Sequence, residues 1–464
     1  MKKFLVFAVV LALLVPSMAL GAAEFSLGGF IKLDAMWDSD SGVHKNNLRP
    51  PARTNDPNRK HGRLLFTAQG SRFNFTIKGP KLWGAQVTGF LEMDFDSAEA
   101  GVGNVAFGGA SHAYTPRLRH AMFRFNWPTS ELLFGQYWSF FSEWWAESAE
   151  DGPLMMTGTP TARLAQIRFT QKFQDFTVAA MIGDPNQTTL GANVGPYVAD
   201  INNGRSAETP QLQAKVNYSH DFWGKAAYYG KPTPFTIQFS GGWQRSVSRA
   251  STFTVGQFGE NNYQAAASIR VRNQYLNPWL AMGSLFIPVI PTHSANLAGT
   301  ASILTQWWIG QGVETFGFAG VSGNNYRFNS QLRNGNADVW NYDAELLNKF
   351  GGFVEGQYYF NNQWFVNALY GISKTFNVNR AQWIQGLVAG RGGMEMGVAD
   401  NASTIQQVNV TLWYRPIQAI KFGLQYGYSA ANYPQLSTSG GLNVANTSNF
   451  GDNHRVEFVG FFYF

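Results

Sequence analysis

Residues 452–464 read Asp-Asn-His-Arg-Val-Glu-Phe-Val-Gly-Phe-Phe-Tyr-Phe, and the chain stops there. In an extended strand, side chains alternate between two sides with a period of two. Val456, Phe458, Gly460, Phe462 and Phe464 then share one side, and Arg455, Glu457, Val459, Phe461 and Tyr463 the other. One face is wholly apolar, while the other starts charged. Exposed apolar edges are aggregation sites that soluble proteins avoid. A closed membrane barrel needs such a strand to complete its sheet against lipid. The stretch therefore predicts a barrel-closing terminal strand, with Phe458, Phe462 and Phe464 on its outer face.

The amino-terminal end agrees with this. Lys2 and Lys3 precede an apolar run from Phe4 to Val15, followed by Ser17, Ala19, Gly21, Ala22 and Ala23. This predicts a signal peptide over 1–23 and one barrel domain over 24–464. There is no cysteine, so disulfides, a lipid anchor and cysteine-held metal are excluded. Aromatic residues make up 15% of the chain and charged ones only 14%. Soluble domains carry about 25% charged residues. No run after the leader reaches the ~18 apolar residues of a membrane helix. A barrel resolves the combination by spreading its apolar residues one per two positions. The net charge of +6 is too small to suggest a nucleic-acid partner.

Strand-like segments recur along the mature chain. Phe25–Trp37 places Phe25, Leu27, Ile31, Leu33, Ala35 and Trp37 on one side and Lys32 and Asp34 on the other. Arg63–Lys78 places Arg72, Asn74, Thr76 and Lys78 opposite Phe73, Phe75 and Ile77, with a short turn expected at Gly79-Pro80. Ala85–Phe95 sets Gln86, Thr88, Glu92 and Asp94 against Ala85, Val87, Leu91 and Met93. Short turns alternate with long loops, as in outer-membrane barrels with short periplasmic turns and long external loops. Nine strands fall before residue 247 and five after 350. Two more, near Tyr263–Asn273 and Trp279–Pro288, give an all-β, antiparallel transmembrane β-barrel of 16 strands. A hairpin hidden in 291–350 would make 18.

Barrels of about eight strands fill their interior with side chains, whereas 16–18 strands leave an aqueous lumen. The inward set here is polar and includes Lys32, Asp34, Arg72, Lys78, Glu92 and Asp94. Unpaired buried charge is costly, so a water-filled pore is expected, with lining charges acting on selectivity. The segment 139–161 is the candidate constriction loop. It carries the acids Glu143, Glu147, Glu150 and Asp151 among Phe140, Phe141, Trp144 and Trp145. Folded inward, it would bury its aromatics on the wall and turn its acids to the pore. An aromatic girdle at the membrane surface is the alternative, and the loop's length and aromatic content favour inward folding.

Arg72-Phe73-Asn74-Phe75-Thr76-Ile77-Lys78-Gly79, the stretch Leu118–Trp127 and Gly135-Gln136-Tyr137-Trp138-Ser139-Phe140-Phe141 resemble strands of the Gram-negative general porins. The likeness is greatest to their dicarboxylate-type (DcaP-like) branch. Gly89–Phe95 and the closing Phe464 are similar as well. The resemblance implies a homotrimer of 16-stranded barrels in the outer membrane, surrounded by lipid and lipopolysaccharide. It also implies a third external loop that narrows each pore, faced by a basic wall at Arg72, Arg119 and Arg163. By strict alternation, Arg119 and Arg163 fall on the lipid side. A bulge would turn Arg119 inward; otherwise His120 and Arg124 line that strand, and Arg168 and Lys172 replace Arg163.

The function expected is passive diffusion of small hydrophilic solutes, with anion preference; a dicarboxylate preference is what the resemblance alone implies. A barrel sheathing a partner such as a multihaem cytochrome is the alternative. A barrel hydrolase is the weakest reading. Ser219-His220 and Ser111-His112 are neighbours that point to opposite faces of a strand. The seven histidines are scattered, with no metal-site spacing. Neither a metal nor another cofactor is expected.

Overall fold

The computed structural model describes residues 23–40, 61–96, 115–152, 157–185, 204–248, 274–317, 346–376, 402–433 and 448–464. Between these it describes a few single residues and the backbone of four short strands. The expected signal peptide, all but Ala23, falls on residues outside this set.

Seventeen strands form one antiparallel sheet. β1 (Glu24–Asp38) rises from the end that carries the short turns. β2 (Arg63–Thr67) and β3 (Arg72–Leu82) return as one stave interrupted at 68–71. β2 pairs with the upper half of β1 and β3 with its lower half, so seventeen strands make sixteen staves. β4 (Ala85–Asp94), β5 (Arg117–Asn126), β6 (Ser130–Trp138), β7 (Arg163–Phe173), β8 (Phe176–Gly183) and β9 (Gln211–His220) continue up and down.

A small hairpin, β10 (Ala226–Tyr228) with β11 (Lys231–Thr233), precedes β12 (Phe235–Trp243). β13 (Ser246–Ser248), β14 (Ser251–Val255), β15 (Ala267–Val271) and β16 (Gln274–Leu276) lie outside the main sheet. β17 (Trp279–Ile290) and β18 (Ala301–Gln311) re-enter it. β19 (Tyr326–Gln331) and β20 (Val339–Leu346) again stand apart. β21 (Asn348–Tyr359), β22 (Trp364–Thr375), β23 (Thr404–Ile417), β24 (Ile420–Asn432) and β25 (Phe450–Tyr463) finish the wall.

Closure occurs where the sequence places it. β25 pairs antiparallel with β1, setting Phe462 against Ile31 and Phe458 against Ala35. Gly29 and Phe464 exchange backbone hydrogen bonds of 3.1 and 3.2 Å. No edge is left open, so every ladder group in the closing pair has a partner. Phe458, Phe462 and Phe464 are exposed on the outer face with Ile31, Leu33 and Trp37, while Arg455 and Glu457 are buried inside. A wall apolar outside and ionic inside is stable in lipid and not in water.

Three strand expectations are corrected. Gly79-Pro80 is not the turn. β3 runs on to Leu82 with a register shift between Lys78 and Lys81, because proline cannot donate to a ladder. The turn is Trp83-Gly84, with φ of 50° and 76°, the left-handed pair a two-residue hairpin requires. The stave expected near Tyr263–Asn273 is not in the wall; β15 pairs with β14 and β20 instead. The missing stave is β18, in the stretch read as loop or hairpin, which keeps the total at 16 rather than 18.

Candidate functional site: the barrel interior

Residues 139–152 leave the top of β6 and cross the interior, and 157–162 lead back to β7. Their base is stapled by Ser142, whose Oγ donates to the Pro160 carbonyl and accepts from the Ala162 amide at 2.9 Å. Phe140 and Phe141 are fully buried. The Phe140 amide donates to Gln213 of β9, and Trp144 Nε1 to Gln238 of β12. Farther along, the Glu147 amide donates to Glu355 of β21, and the Ala149 amide to Gln425 of β24 at 2.9 Å. On the way back, Trp308 Nε1 of β18 donates to the Gly158 carbonyl at 2.9 Å. The loop is thus bonded to staves on the far side of the barrel, and its aromatics pack on the wall rather than forming a girdle.

The loop acids are also bonded to the wall, where exposure to open water was expected. Glu143 accepts from Arg168 of β7 at 2.6 Å and from Lys215 of β9. Burial opposes its ionisation, but these two cations outweigh that and hold its carboxyl below the usual carboxylate range. Glu147 accepts from Lys421 of β24 at 2.8 Å and from Gln357 at 2.9 Å. Glu150 accepts from Gln407 and Asn409 of β23. Asp151 accepts from Lys32 of β1 at 2.8 Å. A buried carboxylate is tolerable only when paired and hydrogen-bonded; Glu143, Glu147 and Asp151 each meet a cation, and Glu150 meets two side-chain amides.

The second group of charges lies on β3, β4, β5 and β7. Arg119 donates to Glu92 at 2.7 Å and also reaches Asp94. It faces inward because β5 bulges there: Glu92 pairs with His120, and Met93 with Leu118. The inserted residue repairs the phase, so Arg119 and His120 are both buried inside. Arg117, which sequence reasoning missed, forks onto Asp94 at 2.8 and 2.7 Å and reaches Asp96 at 3.0 Å. Arg72 stands 3.7 Å from Glu92 and lies over the Phe30 ring. Arg163 lies over the Trp138 ring at 5.0 Å, within electrostatic reach of Arg119, Arg117, Asp94 and Arg72. Among the described residues it has no ion pair.

Other expected positions stand apart from this cluster. Arg124 pairs with Glu131 at 3.0 Å, and exposed Lys78 pairs with Glu24 at the short-turn end. Lys172 is exposed at the end of β7. Lys32 and Asp34 are almost fully buried and pair with each other at 2.8 Å. Mutual pairing, rather than hydration alone, offsets the cost of these interior charges. The neutral anchors Gln238, Asn367, Gln407, Asn409 and Gln425 were missed because an inward amide looks the same in sequence whether it meets water or a loop. Lys215 and Lys421, by contrast, sit in phase with the polar faces of their strands.

No protein-family model matches the chain, and no curated protein does. Solved structures do. The chain is similar to the outer membrane channel DcaP of Acinetobacter baumannii, with a TM-score of 0.63 and 15% identity over 95% of this chain and 97% of that one. The trimer form of OmpT, an outer membrane protein of Vibrio cholerae, gives 0.50 at 11% identity, covering 96% and 100%. Pseudomonas putida OprB gives 0.50 at 9%, covering 95% and 94%. The fold is that of the outer-membrane porins.

Proposed function

We propose that this chain is an outer-membrane porin that passes small hydrophilic solutes by passive diffusion, with a preference for anions such as carboxylates. The observation that carries the preference is the asymmetry of charge pairing. The acids of loop 139–162 are engaged by the wall, whereas Arg163 has no acidic partner among the described residues and Arg72 only a 3.7 Å contact. Guanidinium groups bind carboxylate in bidentate geometry. Interior charges set ion preference at a neck.

Assembly as a homotrimer belongs to the same proposal and is supported by the trimeric form of one similar structure. The sheath reading is disfavoured because the chain's own loop occupies the interior a partner would need.

The test is a planar-bilayer recording in a salt gradient. The wild-type barrel should conduct, with a reversal potential of anion sign. Arg72→Ala and Arg163→Ala should each move it toward cations. A wild-type potential of cation sign would remove the anion preference. Variants that leave the potential unchanged would take those two residues out of the selectivity element. A barrel that conducts nothing would overturn the porin reading itself.

A further inference from the structure

Five of the seven turns at the short-turn end hold two to four residues, such as 83–84 and 360–363. The connection 221–234 between β9 and β12 holds far more, and it does not hang free. Its Lys225 forms a bridge with Thr292 of the next long turn. From there β10 and β11 turn up into the barrel. Ala226 and Ala227 are buried, and Ser302 Oγ of β18 donates to the Ala227 carbonyl at 3.0 Å.

Two tyrosines then meet the underside of loop 139–162. The Tyr228 ring packs on Trp144 at 4.9 Å and on Phe286 of β17 at 5.9 Å. Its hydroxyl accepts from the Trp145 amide at 3.1 Å. Tyr229 donates to the Ala146 carbonyl at 2.8 Å.

The consequence is visible in which inward side chains stay dry. On β17 to β23, Phe286, Leu304, Phe353, Leu369 and Trp413 all point inward and are at most 3% exposed. They belong to two apolar clusters inside the barrel, each of which includes residues of the loop and of the hairpin. On the opposite wall, inward Asn74, Arg124, Glu131 and Asn217 keep partial exposure, and Thr76 is exposed. These solvent-exposed inward side chains lie on β3, β5, β6 and β9, toward the short-turn end.

We propose that the hairpin Ala226–Thr233 is a specificity element of the channel. It props loop 139–162 from the periplasmic end and fills the space beneath it. Solutes are thereby restricted to a narrow path against the arginines of β3, β5 and β7. This inference rests on the porin reading above. Tyr228 is a positioning residue, because it acts through Trp144 and the loop rather than by touching solute.

The test compares wild type with a barrel in which 226–233 is replaced by Asn-Gly, and with Tyr228→Ala. Folding is scored by heat-modifiable electrophoretic mobility. Unit conductance is read in planar bilayers, and size cut-off by liposome swelling with mono-, di- and trisaccharides. Removing the hairpin should raise unit conductance at least about twofold, since flux follows the open cross-section, and should admit the larger sugars. Tyr228→Ala should add current noise and raise the cut-off in the same direction. Folded variants with wild-type conductance and cut-off would overturn the inference while leaving the porin reading intact. If the hairpin-less chain does not fold, Tyr228→Ala decides alone, because its loss is one ring and one acceptor. A silent wild-type barrel would instead overturn the porin reading.

Discussion

At the scale of single residues, the interior arginines divide into two kinds. Arg119 is buried between Glu92 and Asp94 and serves to neutralise them. Arg119→Gln leaves two buried carboxylates short of a partner and should cost about 3–5 kcal/mol, as expected for breaking a buried pair. Urea unfolding of the barrel in lipid vesicles measures this, and a loss under about 1 kcal/mol, the size of an exposed pair, would place Arg119 in water instead. Arg163 has no ion pair among the described residues. Arg163→Gln should therefore leave the unfolding midpoint nearly unchanged while shifting the reversal potential. The two substitutions separate structure from selectivity on staves with only β6 between them. Sequence placed Arg72 inward by simple alternation. Arg119 lay out of phase because one inserted residue flips every side chain beyond it, and nothing in the composition of Leu118–Arg124 marks where the insertion sits.

At the scale of elements, loop 139–162 is held by ionised groups, so its anchoring should depend on pH. Glu143 has a carboxyl pKa below the usual range. The stability it contributes is present above the ordinary carboxylate pKa and is lost as pH falls through its own depressed value. Channel current should therefore be steady at neutral pH and should flicker in acid. Glu143→Gln should flicker already at neutral pH, and a quiet Glu143→Gln channel would show that the Arg168–Lys215 clamp does not hold the loop. Strand packing offers a separate check at Gly135, where φ is +124° and an added Cβ would lie 2.3 Å from the Ala121 carbonyl oxygen. Gly135→Ala should destabilise the barrel by about 1–3 kcal/mol, the range for a residue forced into strained backbone, read as a lowered urea midpoint.

The same scale explains what sequence could and could not reveal. β1 and β25 were legible because their two faces differ chemically. β18 was not, because its inward Leu304 and Trp308 are as apolar as its outward Ile303 and Ile309. Inward residues that meet a folded-in loop instead of water lose the alternation that marks a stave. The connection 221–234 carried one signal, its length at an end where the other turns are mostly short. Its destination depended on partners more than 50 residues away in the chain.

At the scale of the whole molecule, apolar clusters fill the interior along β17 to β23, while inward side chains on β3, β5, β6 and β9 keep exposure. Three such barrels assembled around an axis would present three separate paths. Native mass spectrometry of the detergent-extracted protein should give three copies as the dominant species, and a monomer persisting in mild detergent would remove the trimer from the proposal. Closure between Gly29 and Phe464 joins nearly the first and last residues of the described chain. Such a pairing cannot form before β25 has joined the sheet. Until then β1 has an unfilled edge, a template for pairing with other chains. Trimming even a few residues from the carboxyl end should convert a membrane protein into a substrate for periplasmic proteolysis.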